Sequence, residues 1–171
     1  SFPHGHPDRY VLQLLSTVLG GGMSSRLFTE VRERRGLAYY VFSGNQSYAD
    51  AGTLGAQAGV DLSRIDEAVE TIVAELRRMA REPVPAEELE KARSFAKGRF
   101  VLRLESPQAL IQFGLRRAVL EGEIEEPDEV LREIDAVTAE DIQDVARDLL
   151  EGKQLYLAVV GPFDDPARFE K

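Results

Sequence analysis

An α+β fold, with several helices covering one face of a mainly antiparallel sheet, is what this sequence predicts, from three observations. Apolar residues recur at helical spacing over most of the chain, two adjacent runs rich in aromatic, β-branched and small residues are split by turn signals, and one short apolar run stands near the end. The order is helices, a hairpin, more helices and a late strand, which places the helices together against the sheet. With 171 residues and 43% of them hydrophobic, the chain can close one core. A single domain over 1–171 is expected, with a loose boundary at 1–7 and a loose tail at 163–171.

The elements follow in order. Ser1 to Pro7 is turn-prone and opens without Met, as an internal boundary of a longer protein would, and a strand cut short is expected just upstream of Asp8. From Asp8 as N-cap, Tyr10, Val11, Leu14, Leu15, Val18 and Leu19 mark an amphipathic helix, and Gly20-Gly21-Gly22 ends it with a left-handed C-cap. Ser24 or Ser25 caps a shorter helix through Leu27, Phe28 and Val31, stopped by Gly36. Leu37–Ser43 and Gly52–Val60 form an antiparallel pair, and the small residues Gly55, Ala56, Ala58 and Gly59 predict close packing of another element. Ile65, Ala68, Val69, Ile72, Val73, Leu76 and Met79 form a long helix with Ser63 and Asp66 as its capping box, stopped by Pro83. Pro85 opens the next helix, which runs to about Leu104. Ser106-Pro107 starts another with Leu110, Ile111, Leu115, Ala118 and Val119 as its apolar face, ended by Gly122. Pro127 begins a short helix, Thr138 to Asp141 is a capping-box start for the last one, and Leu155 to Val160 reads as a compact strand before the Gly161-Pro162 turn.

Composition excludes several classes of function. Asp plus Glu number 30 against 21 Lys plus Arg, a net charge of -9, which disfavours nucleic acid and anionic membrane surfaces as partners because both need clustered cations. Without cysteine there is no thiol catalysis, disulfide or thiolate metal site. No apolar run approaches the roughly 20 residues that cross a bilayer, and a cytoplasmic location is the expectation. His4 and His6, the only histidines, are two apart and lack the one-turn spacing of H-E-x-x-H or H-x-x-E-H. They read as surface residues, and no metal or other cofactor is expected to be bound by this chain. The glycines before Met23-Ser24-Ser25 follow a helix and lack the Lys of a phosphate loop, so a helix-to-helix turn is expected there.

Arg32 and Tyr39 stand at the end of a short helix and the start of a strand. From composition alone they read as a helix-end charge and a strand packing ring. A guanidinium and a phenol joined across the Gly36 turn can, however, both donate hydrogen bonds to one developing oxyanion.

The run Leu19-Gly-Gly-Gly-Met-Ser-Ser-Arg-Leu-Phe-Thr-Glu-Val-Arg-Glu-Arg-Arg-Gly-Leu-Ala-Tyr-Tyr-Val-Phe-Ser43 resembles the start of the second homologous domain in pitrilysin-like and mitochondrial-processing-peptidase-like metallopeptidases. Tyr48-Ala-Asp-Ala-Gly52, Glu87-Glu-Leu-Glu-Lys-Ala92, Val137-Thr-Ala-Glu-Asp-Ile142 and Leu157-Ala-Val-Val-Gly-Pro162 resemble it too, in the same order, so the resemblance covers nearly the whole chain. It implies the C-terminal half of a zinc endopeptidase of the H-x-x-E-H class, acting on unfolded peptides or presequences in a chamber between two α+β domains. Zinc is then implied for the complete enzyme and belongs to an N-terminal homologous domain or a zinc-bearing partner subunit, in a homodimer or heterodimer, while this chain alone is inactive. The resemblance gives Arg32 and Tyr39, seven positions apart, the role of binding the scissile carbonyl and stabilising the tetrahedral intermediate. Tyr40, expected on the opposite side of the strand, is second choice. A non-catalytic structural or interaction subunit of the same family is the alternative.

Overall fold

A computed structural model describes residues 1–122, 124–163 and 166–169. Its centre is helix α1, Arg9–Gly20, buried on nearly every side through Leu12, Leu14, Leu15, Val18 and Leu19. Such all-round burial follows from its place, with β1, α3 and α6 packed around it. Asp8 precedes α1 but its side chain makes no capping bond. Its backbone N–H donates instead to His6 Nδ1 at 3.1 Å.

Strands β1, Ala38–Ser47, and β2, Gly52–Val60, form an antiparallel hairpin closed by Tyr48 N–H donating to Ala51 O at 2.8 Å. Its inner face carries the buried Val41 and Ser43 opposite the partly buried Ala58 and Ala56. Ser16 and Ser43 hydroxyls meet at 3.0 Å and join α1 to β1. The outer face, with Phe42 opposite Gln57 and Gly44 opposite Gly55, is open. The close packing expected over the small residues of β2 is thus split. Ala56 and Ala58 face the core, Gly59 lies under the Tyr40 ring, and Gly55 has nothing against it.

Helices α2 (Ile65–Arg81), α3 (Ala86–Arg103), α4 (Pro107–Leu120), α5 (Pro127–Ala136) and α6 (Ala139–Leu150) complete the α+β arrangement. Two expected caps are present: Ser106 Oγ accepts from Ala109 N–H at 3.1 Å, and Thr138 and Asp141 make a reciprocal box. The expected Ser63 and Asp66 box is not. Asp61 caps a 3₁₀ turn, Leu62–Arg64, by accepting from Ser63 N–H at 2.8 Å, and α2 follows without a side-chain cap of its own.

Three expectations fail for tertiary reasons. The apolar face expected of α4 points outward, with Leu110, Ile111, Leu115 and Val119 all exposed. Its opposite face is anchored by Phe113, edge-on to Phe100 at 5.5 Å, and by the buried Arg117. Leu155 to Val160 pairs with neither strand and is largely exposed, since an apolar run becomes a strand only where a ladder partner exists. Residues 1–7 form turns rather than a strand, with His4 N–H donating to Tyr48 O at 2.8 Å and the Phe2 ring stacked 3.9 Å from that of His6. Of the expected loose tail, Pro166–Phe169 is a 3₁₀ turn, and 164–165 and 170–171 lie outside the described residues.

Arg117 explains the orientation of α4. Its guanidinium donates to Tyr10 Oη at 2.8 Å and to Glu121 at 3.0 Å and also pairs with Glu125, while Tyr10 donates to Glu125 Oε2 at 2.6 Å and Arg9 donates to the same oxygen at 3.1 Å. A buried guanidinium needs these acceptors more than a leucine face needs cover. Burial, with the bond to Glu125, pushes the Tyr10 phenol up to about 12, against the opposing pull of Arg117 and Arg9. The sign is then determined. With a folded value above the unfolded one of about 10, the neutral phenol stabilises the fold fully below pH 10 and loses that contribution as pH rises through about 12. The unfolding midpoint is expected to fall over that interval. Tyr10→Phe should start lower and show a shallower fall, measured by thermal unfolding at stepped pH.

Candidate functional site

The segment between α1 and β1 is fastened at both ends and bare in the middle. Residues 28–34 form a π-helical turn, Phe28–Arg34, whose one buried residue is Val31. Wide turns of this kind are uncommon and frequent at functional sites. Arg26, itself buried, donates from Nε to Glu88 Oε1 at 2.9 Å and from Nη2 to Glu88 Oε2 at 2.8 Å, fixing the entry of the turn to α3. Leu37 N–H donates to Val31 O at 2.8 Å across the turn, and Gly36 at φ +59 makes the reversal that a side chain would strain.

The arginines around this turn are paired with carboxylates, Arg32 excepted. Arg26 pairs with Glu88, Arg34 with Glu30 at 2.6 Å, and Arg35 with Glu67 at 4.0 Å. Among the described residues no carboxylate stands within ion-pair distance of Arg32. Its guanidinium carbon lies instead 4.9 Å from the centroid of the Phe28 ring and 5.8 Å from that of Tyr39.

Tyr39 reaches that position through a β-bulge. Ala38 pairs with Val60 and Tyr40 with Gly59, so two steps on β1 match one on β2 and Tyr39 is the extra residue. Strict alternation would carry the inward set Ser43 and Val41 on to Tyr39 and bury it. The bulge moves Ala38 inward and leaves Tyr39 83% exposed, so it is not a packing ring. Tyr40 is exposed too, packed over Gly59 and stacked near Phe42 at 6.1 Å.

Arg32 and Tyr39 are therefore brought together on an open surface, and the arrangement offers guanidinium N–H and phenolic O–H donors to an external oxygen. Sequence reasoning missed Phe28, the wide turn and the bulge. The tandem Tyr39-Tyr40 before an inward Val41 was the available signal, because two polar rings in succession cannot both satisfy a half-buried strand.

Residues 2–95 match the family model described as the peptidase M16 inactive domain. The chain belongs to that family. An uncharacterized zinc protease of Streptomyces coelicolor is 40% identical over 157 residues, 92% of this chain and 34% of the relative. One from Bacillus subtilis is 37% identical over 158 residues, 92% and 38% respectively. The chain thus spans about a third of the length of these curated relatives. The fold is that of a crystal structure of a peptidase M16 inactive domain from Pseudomonas fluorescens, with TM-score 0.77 at 21% identity over 86% of this chain and 35% of that one.

The described residues of this M16 inactive domain do not fit the zinc of its relatives' names. Among the described residues no three His, Cys, Asp or Glu side chains group as a metal site. The two histidines are engaged elsewhere, His6 as acceptor for Asp8 N–H and His4 against Arg116 at 3.2 Å. No described helix is long and apolar enough to cross a membrane.

Proposed function

We propose that this M16 inactive domain is half of a zinc endopeptidase for unfolded peptides, contributing Arg32 and Tyr39 as donors to the scissile carbonyl and one wall of the substrate chamber. The observation that carries the reading is the Arg32 guanidinium, held beside Tyr39 on an open face with no carboxylate to neutralise it. When the carbonyl carbon becomes tetrahedral, its oxygen gains negative charge, and donors already in place stabilise that charge more than they stabilise the ground state. The zinc that relatives' names imply is assigned to an N-terminal homologous domain or a partner subunit, which would supply the attacking water. This chain alone then cleaves nothing.

Tyr39→Phe isolates the phenolic donor, because the ring that faces Arg32 stays. In the full-length protein with its zinc-bearing half, kcat for an unstructured peptide is expected to fall by about tenfold or more, with KM changed less than twofold. Unchanged turnover would remove Tyr39 from the site. A full-length protein recovered only in a structural assembly, with no peptidase activity when its zinc-bearing partner is supplied, would instead make it a non-catalytic subunit.

A further inference from the structure

We infer that Phe28 is a positioning residue that aims the Arg32 guanidinium at the substrate without consuming any of its hydrogen-bond donors. This rests on the proposed role of Arg32. Of the cations paired with carboxylates near the turn, Arg26 and Arg34 give up donors to Glu88 and Glu30, and Arg35 lies 4.0 Å from Glu67. Arg32 is held differently. Phe28, four residues earlier on the same π-helical turn and half-buried, presents its ring at 4.9 Å, nearer than Tyr39 at 5.8 Å.

The chemistry favours a ring over a carboxylate at this place. An aromatic face attracts a cation through its quadrupole and contacts the flat side of the guanidinium, whereas the N–H donors lie in the guanidinium plane. A stack therefore restricts the long arginine side chain and leaves both charge and donors available to an oxyanion. A carboxylate would restrict it too, but would occupy the donors meant for the substrate and cancel the charge. Phe28 acts through Arg32, so its removal loosens the aim and lowers kcat, while peptide binding over the rest of the chamber wall is kept.

The test is a double-mutant cycle in the full-length protein with its zinc-bearing half, with an unstructured peptide as substrate. Phe28→Leu removes the ring and keeps an apolar side chain. It is expected to lower kcat by about three- to fivefold, the size of an exposed cation–π contact, with KM changed less than twofold. Phe28→Tyr should retain wild-type kcat. In the Arg32→Ala background Phe28→Leu should change nothing further, because the group it positions is gone. An equal loss in both backgrounds, or no loss in the wild-type background, overturns the positioning role while the catalytic reading of Arg32 stands. If Arg32→Ala itself leaves kcat unchanged, the catalytic reading falls and takes the positioning role with it. Should Phe28→Leu fail to fold, Phe28→Met, also apolar and ringless, serves in its place under the same outcomes.

Discussion

Arg32→Ala in the full-length protein with its zinc-bearing half is expected to lower kcat by about 10²- to 10³-fold, the range found when one donor to a developing oxyanion is removed. The loss should exceed that of Tyr39→Phe for two reasons. A guanidinium carries a full positive charge as well as several donors, and among the described residues no carboxylate stands in ion-pair contact with this one. Tyr39→Phe, by contrast, leaves the ring 5.8 Å from the Arg32 guanidinium carbon, so the stronger donor stays held. KM should move little, because the charge that Arg32 meets develops only as the carbonyl becomes tetrahedral. Arg32→Lys separates charge from geometry: it keeps the charge but loses the planar fork and the ring stack, and should recover only part of the loss. Steady-state kinetics on one unstructured peptide, with folding checked by thermal unfolding, reads all of these variants. Wild-type turnover in Arg32→Ala would dismiss the site.

Elements were legible in the sequence where the signal is local. Helical periodicity located α1, α2, α3, α5 and α6, and Ser106, Thr138 and Asp141 marked helix starts whose capping bonds the structure contains. The same periodicity chose the wrong face of α4, because it reports which residues share a side and says nothing of what that side meets. The decisive interaction there joins Arg117 to Tyr10, 107 positions away. Leu155 to Val160 fails likewise, since strand composition without a partner makes no ladder. At the candidate site, the seven-residue spacing of Arg32 and Tyr39 was visible, but only the resemblance gave it meaning. The π-helical turn and the bulge, each one residue out of the regular count, present both side chains on one face, and neither leaves a strong periodic signal.

Gly20→Ala is expected to destabilise the fold by about 2 kcal/mol, against the sign that helix propensity predicts. The sequence predicts a left-handed cap within Gly20-Gly21-Gly22, but Gly20 lies inside the helix, Gly21 beyond it has φ -79, and none of the three has a positive φ. The purpose of Gly20 is contact. A Cβ at Gly20 would stand 2.2 Å from the Ser43 backbone N and 2.9 Å from the Phe42 carbonyl carbon, distances that only movement of β1 or α1 can relieve. Propensity alone favours Ala over Gly in a helix by about 1 kcal/mol, so it predicts stabilisation. Overpacking against backbone costs about 1–3 kcal/mol, and separating α1 from β1 also breaks the buried Ser16 to Ser43 hydrogen bond, worth about 1 kcal/mol. With the propensity gain subtracted, and at about 2–4 °C per kcal/mol for a domain of this size, the unfolding midpoint should drop by about 4–8 °C. Gly98→Ala in α3 is the matched control, because nothing lies within 4 Å of a Cβ there, and propensity should then raise the midpoint slightly. Thermal unfolding of the two variants beside the wild type separates the effects, and a midpoint raised in both would mean that α1 does not bear on β1 as closely as these distances require.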